Sequence, residues 1–164
     1  MQSGDASGPV TFADLMAQTR EVLLSCRWEG LMSSPSGDAA ASLARGISSL
    51  APEERRTLSP EQEGLLAALQ VVVAELDRLQ AKGETGALRS LGYAVHVLPD
   101  VMVSGRWSPR EFRGFSLRVA AAHWGALSIE CKRVLCELAG ISAARATELI
   151  AMAGFVVDMY GRDR

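Results

Sequence analysis

Residues 59–83, SPEQEGLLAALQVVVAELDRLQAKG, decide the fold. Ser59 opens the stretch as an N-cap, with Gln62 three positions on to complete a capping box. Pro60 suits the first helical position, where its missing N–H has no partner to lose. Leu65, Leu69, Val72, Leu76 and Leu79 then recur at steps of four, three, four and three, which is a heptad seam. Leu66 and Val73 widen that seam beyond a strict two-stranded pattern, and Gly83 closes the helix after about 23 residues. Fewer than about four heptads are present, so the seam reads as a bundle helix rather than an intermolecular coiled coil.

Working outward toward the N-terminus, Asp38 can cap a shorter helix that carries Leu43, Ile47 and Leu50. Ahead of it, Ser33-Ser34-Pro35-Ser36-Gly37 stops a longer helix. That helix starts at the N-cap Thr11, shows Phe12, Leu15, Met16, Thr19, Val22, Leu23 and Cys26 on one face, and reaches about Met32. Residues 1–9, MQSGDASGP, are small and polar and read as a disordered N-terminal tail.

Toward the C-terminus, Ala87–Leu98 is apolar on every side, with Arg89 its sole charge. Such a helix belongs at the centre of a bundle or beneath another subunit. Pro99 should break or kink it, and Val101, Met102 and Val103 extend the apolar run to Gly105. Ser108-Pro109-Arg110-Glu111 gives a second capping box, opening a helix to about Trp124 or Ala126. Ser128 starts another that ends at Ala139-Gly140. Ser142 caps a last helix through Leu149, Ile150, Met152, Phe155, Val156 and Tyr160. No segment of any length alternates with the period of a strand. The expected fold is all-α: one domain over residues 10–164, a bundle of six or seven helices with no sheet.

Composition agrees. Apolar residues make up 48% of the 164 positions, enough for a core, while aromatics are only 5%, too few for a typical sandwich or barrel. Net charge is −2, which argues against a strongly basic nucleic-acid binder. The charge is unevenly placed, however: residues 1–105 sum to −5 and residues 106–164 to +3. Of 17 basic residues 15 are arginine, a bias that fits GC-rich bacterial coding. Three cysteines are too few for a disulfide framework, no secretory signal opens the chain, and no membrane-length apolar run is present. A cytoplasmic location is the expectation, without a membrane partner.

Catalytic chemistry has little to stand on. Cys131 and Cys136 sit about 140° apart around one helix, and Cys26, His96 and His123 supply no second close pair, so no metal is expected. No glycine-rich phosphate loop is present, and no cofactor is expected. Glu53-Glu54 and Glu61/Glu63 flank helix starts, where acids suit the macrodipole. His96 reads as a partner for a backbone carbonyl or a neighbouring helix, and His123 as an aid to a helix C-terminus.

Two features remain. Arg106, Trp107, Arg110, Phe112, Arg113, Phe115 and Arg118 put four arginines and three aromatics into thirteen residues. Arg110 and Arg113 oppose the macrodipole in the first turns of their helix, so helix stability does not explain them. Arginine beside aromatic rings is the composition of a protein-interface hot spot. These seven are the candidate partner-binding residues. The second feature is Leu138-Ala139-Gly140-Ile141-Ser142, which resembles the turn of a helix-turn-helix, or of a helix-hairpin-helix with Ser142 in place of the second glycine. There Lys132, Arg133, Ser142 and Arg145 are the candidate nucleic-acid contacts. The helix after the turn offers Ala143, Ala144, Arg145, Thr147, Glu148 and Ala151, a poor reader of base edges.

The expected function is therefore non-catalytic: an adaptor, inhibitor, immunity or chaperone-like interaction protein. It binds another protein and self-associates as a homodimer through apolar helices, with Ala87–Val103 and Leu149–Tyr160 as the faces in question. The alternative is a nucleic-acid-binding regulator using the turn within residues 131–150.

Overall fold

The computed structural model describes the backbone of residues 11–28 and 39–162, and side chains within 11–26 and 42–152. The expected tail at 1–9, the helix end near Met32, the turn at 33–37 and the Asp38 cap lie outside these residues. All regular structure within them is helical, with no strand. Helix α1 spans Phe12–Trp28, α2 Ala39–Ser48, α3 Pro52–Arg56, α4 Pro60–Ala81, α5 Thr85–Val95 and α6 Val97–Ser104. One continuous rod follows, made of α7 (Pro109–Glu111), a π-helical segment (Phe112–Leu117) and α8 (Arg118–Ala121). A 3-10 turn at Trp124–Ala126, α9 (Ile129–Ala139) and α10 (Ala143–Arg162) complete the order.

Helix α4 is the axis of the fold. Its capping box forms in full: Ser59 Oγ accepts from the Gln62 N–H at 3.1 Å, and Gln62 Oε1 accepts from the Ser59 N–H at 2.8 Å. Every seam residue from Leu65 to Leu79 is buried, as are Leu66 and Val73. They face α2, α5, α6 and α9 of the same chain, so the seam is a bundle seam. Each leucine removed from water there contributes on the order of 2 kcal/mol against the entropy of ordering it.

The other caps follow their sequence signals. Thr11 Oγ1 accepts from the Asp14 N–H, Ser128 Oγ from Cys131 and Ser142 Oγ from Arg145, each at 3.1 Å. Only half of the second expected box forms: Ser108 Oγ accepts from the Glu111 N–H at 3.2 Å without the reciprocal bond. One N-terminal contact is not local at all. Glu54 Oε1, on α3, accepts from the Phe12 N–H at 2.7 Å, so an acid 42 positions on holds the first turn of α1.

Two boundaries depart from expectation. The apolar run breaks at His96 rather than at Pro99, which becomes the third residue of α6. Proline supplies no N–H to the Val95 carbonyl and crowds it, so the chain parts one turn upstream of the ring. The helix opened by Ser108 ends at Ala121, short of Trp124. The face formed by Ala87, Leu88, Leu91, Ala94, Val95, Leu98 and Met102 is buried under α1 and α4, so it needs no second subunit.

One buried charge locks the two halves together. Glu75 is 4% exposed and lies on α4 between seam residues Val72 and Leu79. The Arg78 guanidinium donates to it twice, Nε to Oε1 at 3.0 Å and Nη2 to Oε2 at 2.7 Å. The Ser128 N–H also donates to Oε2, at 2.8 Å, and Arg78 Nη2 donates to the Ala126 carbonyl at 2.7 Å. Burial pushes the carboxyl pKa up, but the bonds from Arg78 and Ser128 outweigh it and hold the group below the ordinary 4.5. The clamp fixes the start of α9 against α4.

Candidate functional site

The arginine–aromatic cluster divides. Phe112 is core, 2% exposed, and half-buried Trp107 lies tilted against it with ring centroids 5.5 Å apart. Arg113 is half-buried, and its Nη1 donates to the Ala139 carbonyl at 3.4 Å. A cation suits that position, the C-terminal end of α9. These three residues are engaged within the fold. Arg106, Arg110, Phe115 and Arg118 are exposed. No carboxylate among the described residues pairs with Arg106, Arg110 or Arg118, whereas Arg20, Arg55, Arg78, Arg133 and Arg145 each have one.

The π-helical segment separates the two phenylalanines. In an α-helix, residues three apart share a face. The wider π turn carries Phe112 inward and leaves Phe115 42% exposed, edge-on to Tyr93 at 5.7 Å. Tyr93 in turn stacks on His96 at 4.9 Å, and His96 Nδ1 pairs with the Tyr93 carbonyl. No sequence signal marked this segment.

The second set of candidates sits around the turn between α9 and α10. Arg133 pairs with Glu137 at 2.9 Å and lies 3.9 Å from Glu130, and Arg145 pairs with Glu148 at 3.0 Å. Lys132 is half-buried, and the Ser142 hydroxyl is engaged as the α10 cap. Gly140 adopts φ 69°, and its N–H donates to the Glu137 and Cys136 carbonyls. The Ile141 N–H also reaches Cys136 O, at 3.1 Å. The Gly140 and Ile141 amides therefore close the α9 C-terminus. A Cβ on Gly140 would stand 3.2 Å from Pro109 Cβ, because the turn backs onto the start of α7.

The nucleophile candidates are dispersed. Cys26, Cys131 and Cys136 are all buried free thiols. Burial pushes the Cys26 pKa up to about 11 and that of Cys131 to about 12, so neither is a thiolate at neutral pH. His123 Nδ1 bonds Ser90 Oγ at 2.9 Å, joining its loop to α5. Among the described residues no group of three or more His, Cys, Asp and Glu is placed to hold a metal ion, and no helix is long and apolar enough to cross a membrane.

What the surface offers is apolar. Val103 is 57% exposed, Ile129 85% and Met152 61%. A groove of about 510 Å³ runs between α1 and α6, and one of about 280 Å³ between α4 and α9. Helix α10 packs on α8 and α9, with Ala146 fully buried. Leu149 and Ile150 are half-buried, Ala151 and Met152 exposed, and the helix continues to Arg162. No family model matches the chain, and neither a curated protein nor a solved structure matches it.

Proposed function

We propose that this chain is a non-catalytic, cytoplasmic protein-interaction protein that self-associates through α10. The observation that supports this reading is Met152, a large apolar side chain left 61% exposed on the 20-residue helix α10. Its sequence from Leu149 to Tyr160, LIAMAGFVVDMY, holds one charge, Asp158. An apolar helix that shows a large side chain to solvent offers contact surface to a partner. Of the two apolar stretches in the sequence, Ala87–Val103 buries most of its apolar side chains under α1 and α4 and leaves Val103 exposed, so α10 is the stronger candidate. Light scattering on the full chain across a micromolar dilution series should show a dimer that dissociates on dilution. A constant monomer mass at every concentration would defeat the reading.

A second reading, nucleic-acid binding, is favoured by one observation: Arg106, Arg110 and Arg118 are exposed and unpaired with carboxylates among the described residues. Phosphate contacts would give affinity that falls steeply with salt. With the Gly140 and Ile141 amides engaged and Arg133 and Arg145 in ion pairs, the expected gel-shift result is no retention of duplex DNA or RNA, even at low salt. Retention lost on Arg110→Ala and Arg118→Ala would reverse the ranking.

A further inference from the structure

We propose that the seam between α5 and the α7–α8 rod is a docking surface for an acidic segment of another protein, one that carries an apolar anchor among its carboxylates. The inference rests on the reading of this chain as a protein-interaction protein but not on self-association, since no residue of α10 takes part.

The seam joins two solvent-facing sides. On α5, Arg89, Tyr93 and His96 recur at steps of four and three, and all lie wholly or partly in solvent. On the rod, Phe115 and Arg118 are exposed, while Ser116, Leu117 and Ala120 are buried. Tyr93 meets Phe115 with ring centroids 5.7 Å apart, and Ser90 Oγ bonds His123 Nδ1 at 2.9 Å. A Cβ on Gly86 would stand 2.7 Å from His123 Nε2. Moving back along α5 therefore matches moving forward along the rod, so the two run antiparallel. Arg89 and Arg118 both fall between the ring contact and the point where His123 covers Gly86. That stretch is about 10 Å of α5.

The two guanidiniums are uncompensated. Neither has an acid three or four positions away in its own helix. Neither has a carboxylate within ion-pair distance among the described residues. Arg133 and Arg145, by contrast, each hold a glutamate of their own helix. The acids nearby stand at the ends of these elements: Glu84 ahead of α5, Glu111 in α7 beside exposed Arg110, and Asp100 in α6, which bonds Arg20 at 3.2 Å. Two positive charges along one short stretch attract carboxylates.

The rings are set before any partner arrives. Tyr93 stacks on His96 at 4.9 Å, and Phe115 stands edge-on to Tyr93. A carbonyl can only accept, so His96 Nδ1 donates to the Tyr93 carbonyl and the imidazole is held in place. Phe115 is 42% exposed, which leaves part of its ring to be covered. Aromatic surface already fixed costs little entropy to bind, and tyrosine and arginine carry much of the energy of protein interfaces. Carboxylates for Arg89 and Arg118 with an apolar group for Phe115 describe an acidic segment with an apolar anchor. A nucleic acid would also stack on these rings, but two arginines neutralise few phosphates, and Glu111, one turn before Phe115, repels a continuous phosphate backbone.

Fluorescence anisotropy on the full-length chain tests this with three short labelled probes: a peptide of glutamate, leucine and tryptophan, its counterpart with lysine for glutamate, and oligouridylate. The first should bind saturably at micromolar protein, and the other two should not. Arg89→Glu/Arg118→Glu should weaken that binding at least tenfold and Phe115→Ala about threefold or more, with unchanged circular-dichroism spectra because all three positions are exposed. Arg45→Glu/Arg56→Glu makes the same change of net charge at exposed arginines on α2 and α3, and should leave binding within about twofold. Absence of saturable acidic-peptide binding at about 1 mM overturns the inference. So does an equal loss in the two double variants, which makes the effect one of net charge alone. Tighter binding of oligouridylate than of the acidic peptide also overturns it and gives the face to nucleic acid. Light scattering of the wild type decides self-association separately: a dimer that ignores the peptide overturns this inference alone, and a monomer that binds it overturns self-association alone.

Discussion

Glu75→Ala is expected to destabilise the fold by roughly 3 kcal/mol and to lower Tm by about 10 °C. The carboxylate is 4% exposed and accepts from Arg78 twice and from the Ser128 N–H once. Its removal leaves that amide without an acceptor and deprives the guanidinium of its counter-charge. Arg78 can turn partly to water, since its side chain is 34% exposed, which keeps the loss below that of a fully enclosed pair. Replacing both residues, as in a Glu75→Leu/Arg78→Leu variant, should cost less than Glu75→Ala, because the desolvated polar partners go together. Thermal melts of the three proteins decide the matter; a loss below about 1 kcal/mol in Glu75→Ala would mean that the clamp is not strongly coupled to the fold.

The same group sets an acid limit. Its pKa is lowered on folding, so the stabilisation is present above the unfolded value near 4.5 and disappears as pH falls through the lower folded value. Wild type should lose stability on acidification across that window. Glu75→Gln, which keeps the shape without the charge, should start lower and lose less.

The second large effect lies at the crossing of α1 and α5. A Cβ built on Gly92 stands 2.6 Å from Cys26 Cβ, 2.9 Å from its Sγ and 3.1 Å from the Leu23 carbonyl oxygen. Two of those atoms, the Cβ and the carbonyl oxygen, are tied to the α1 backbone, so the helices must part. Gly92→Ala should cost about 1–3 kcal/mol despite a gain in helix propensity of about 1 kcal/mol, and Gly92→Val more. Gly64 on α4 gives the opposite sign: nothing lies within 4 Å of its added Cβ, so Gly64→Ala should stabilise by about 0.5–1 kcal/mol. Denaturant midpoints measure both. Equal effects at the two sites would contradict the packing account.

Much of this fold was legible because its signals are local. The Ser59 box, the four-three seam and the serine caps at 108, 128 and 142 each act within a single turn or helix. The departures come from non-local causes or from backbone choices that side-chain spacing does not encode. Glu75 could have been found, since it falls on the seam line Ala68–Val72–Glu75–Leu79 with Arg78 three residues on. Its partner at Ser128 could not, being 53 positions away. The π turns of Phe112–Leu117 left no mark in the sequence, and they decide which members of the arginine–aromatic cluster face solvent. Composition alone cannot tell Phe112, packed beneath Trp107, from Phe115, held outward on Tyr93.

On the proposed reading α10 presents the associating face, and Met152 is its exposed large apolar side chain among the described residues. Sedimentation equilibrium of wild type and Met152→Glu, side by side at the same micromolar loading, tests it most directly. With Met152 61% exposed, the substitution should leave the monomer fold within about 0.5 kcal/mol. Burying the new charge in an apolar contact should weaken the dimer by at least about tenfold. Indistinguishable association constants for the two proteins would contradict the account.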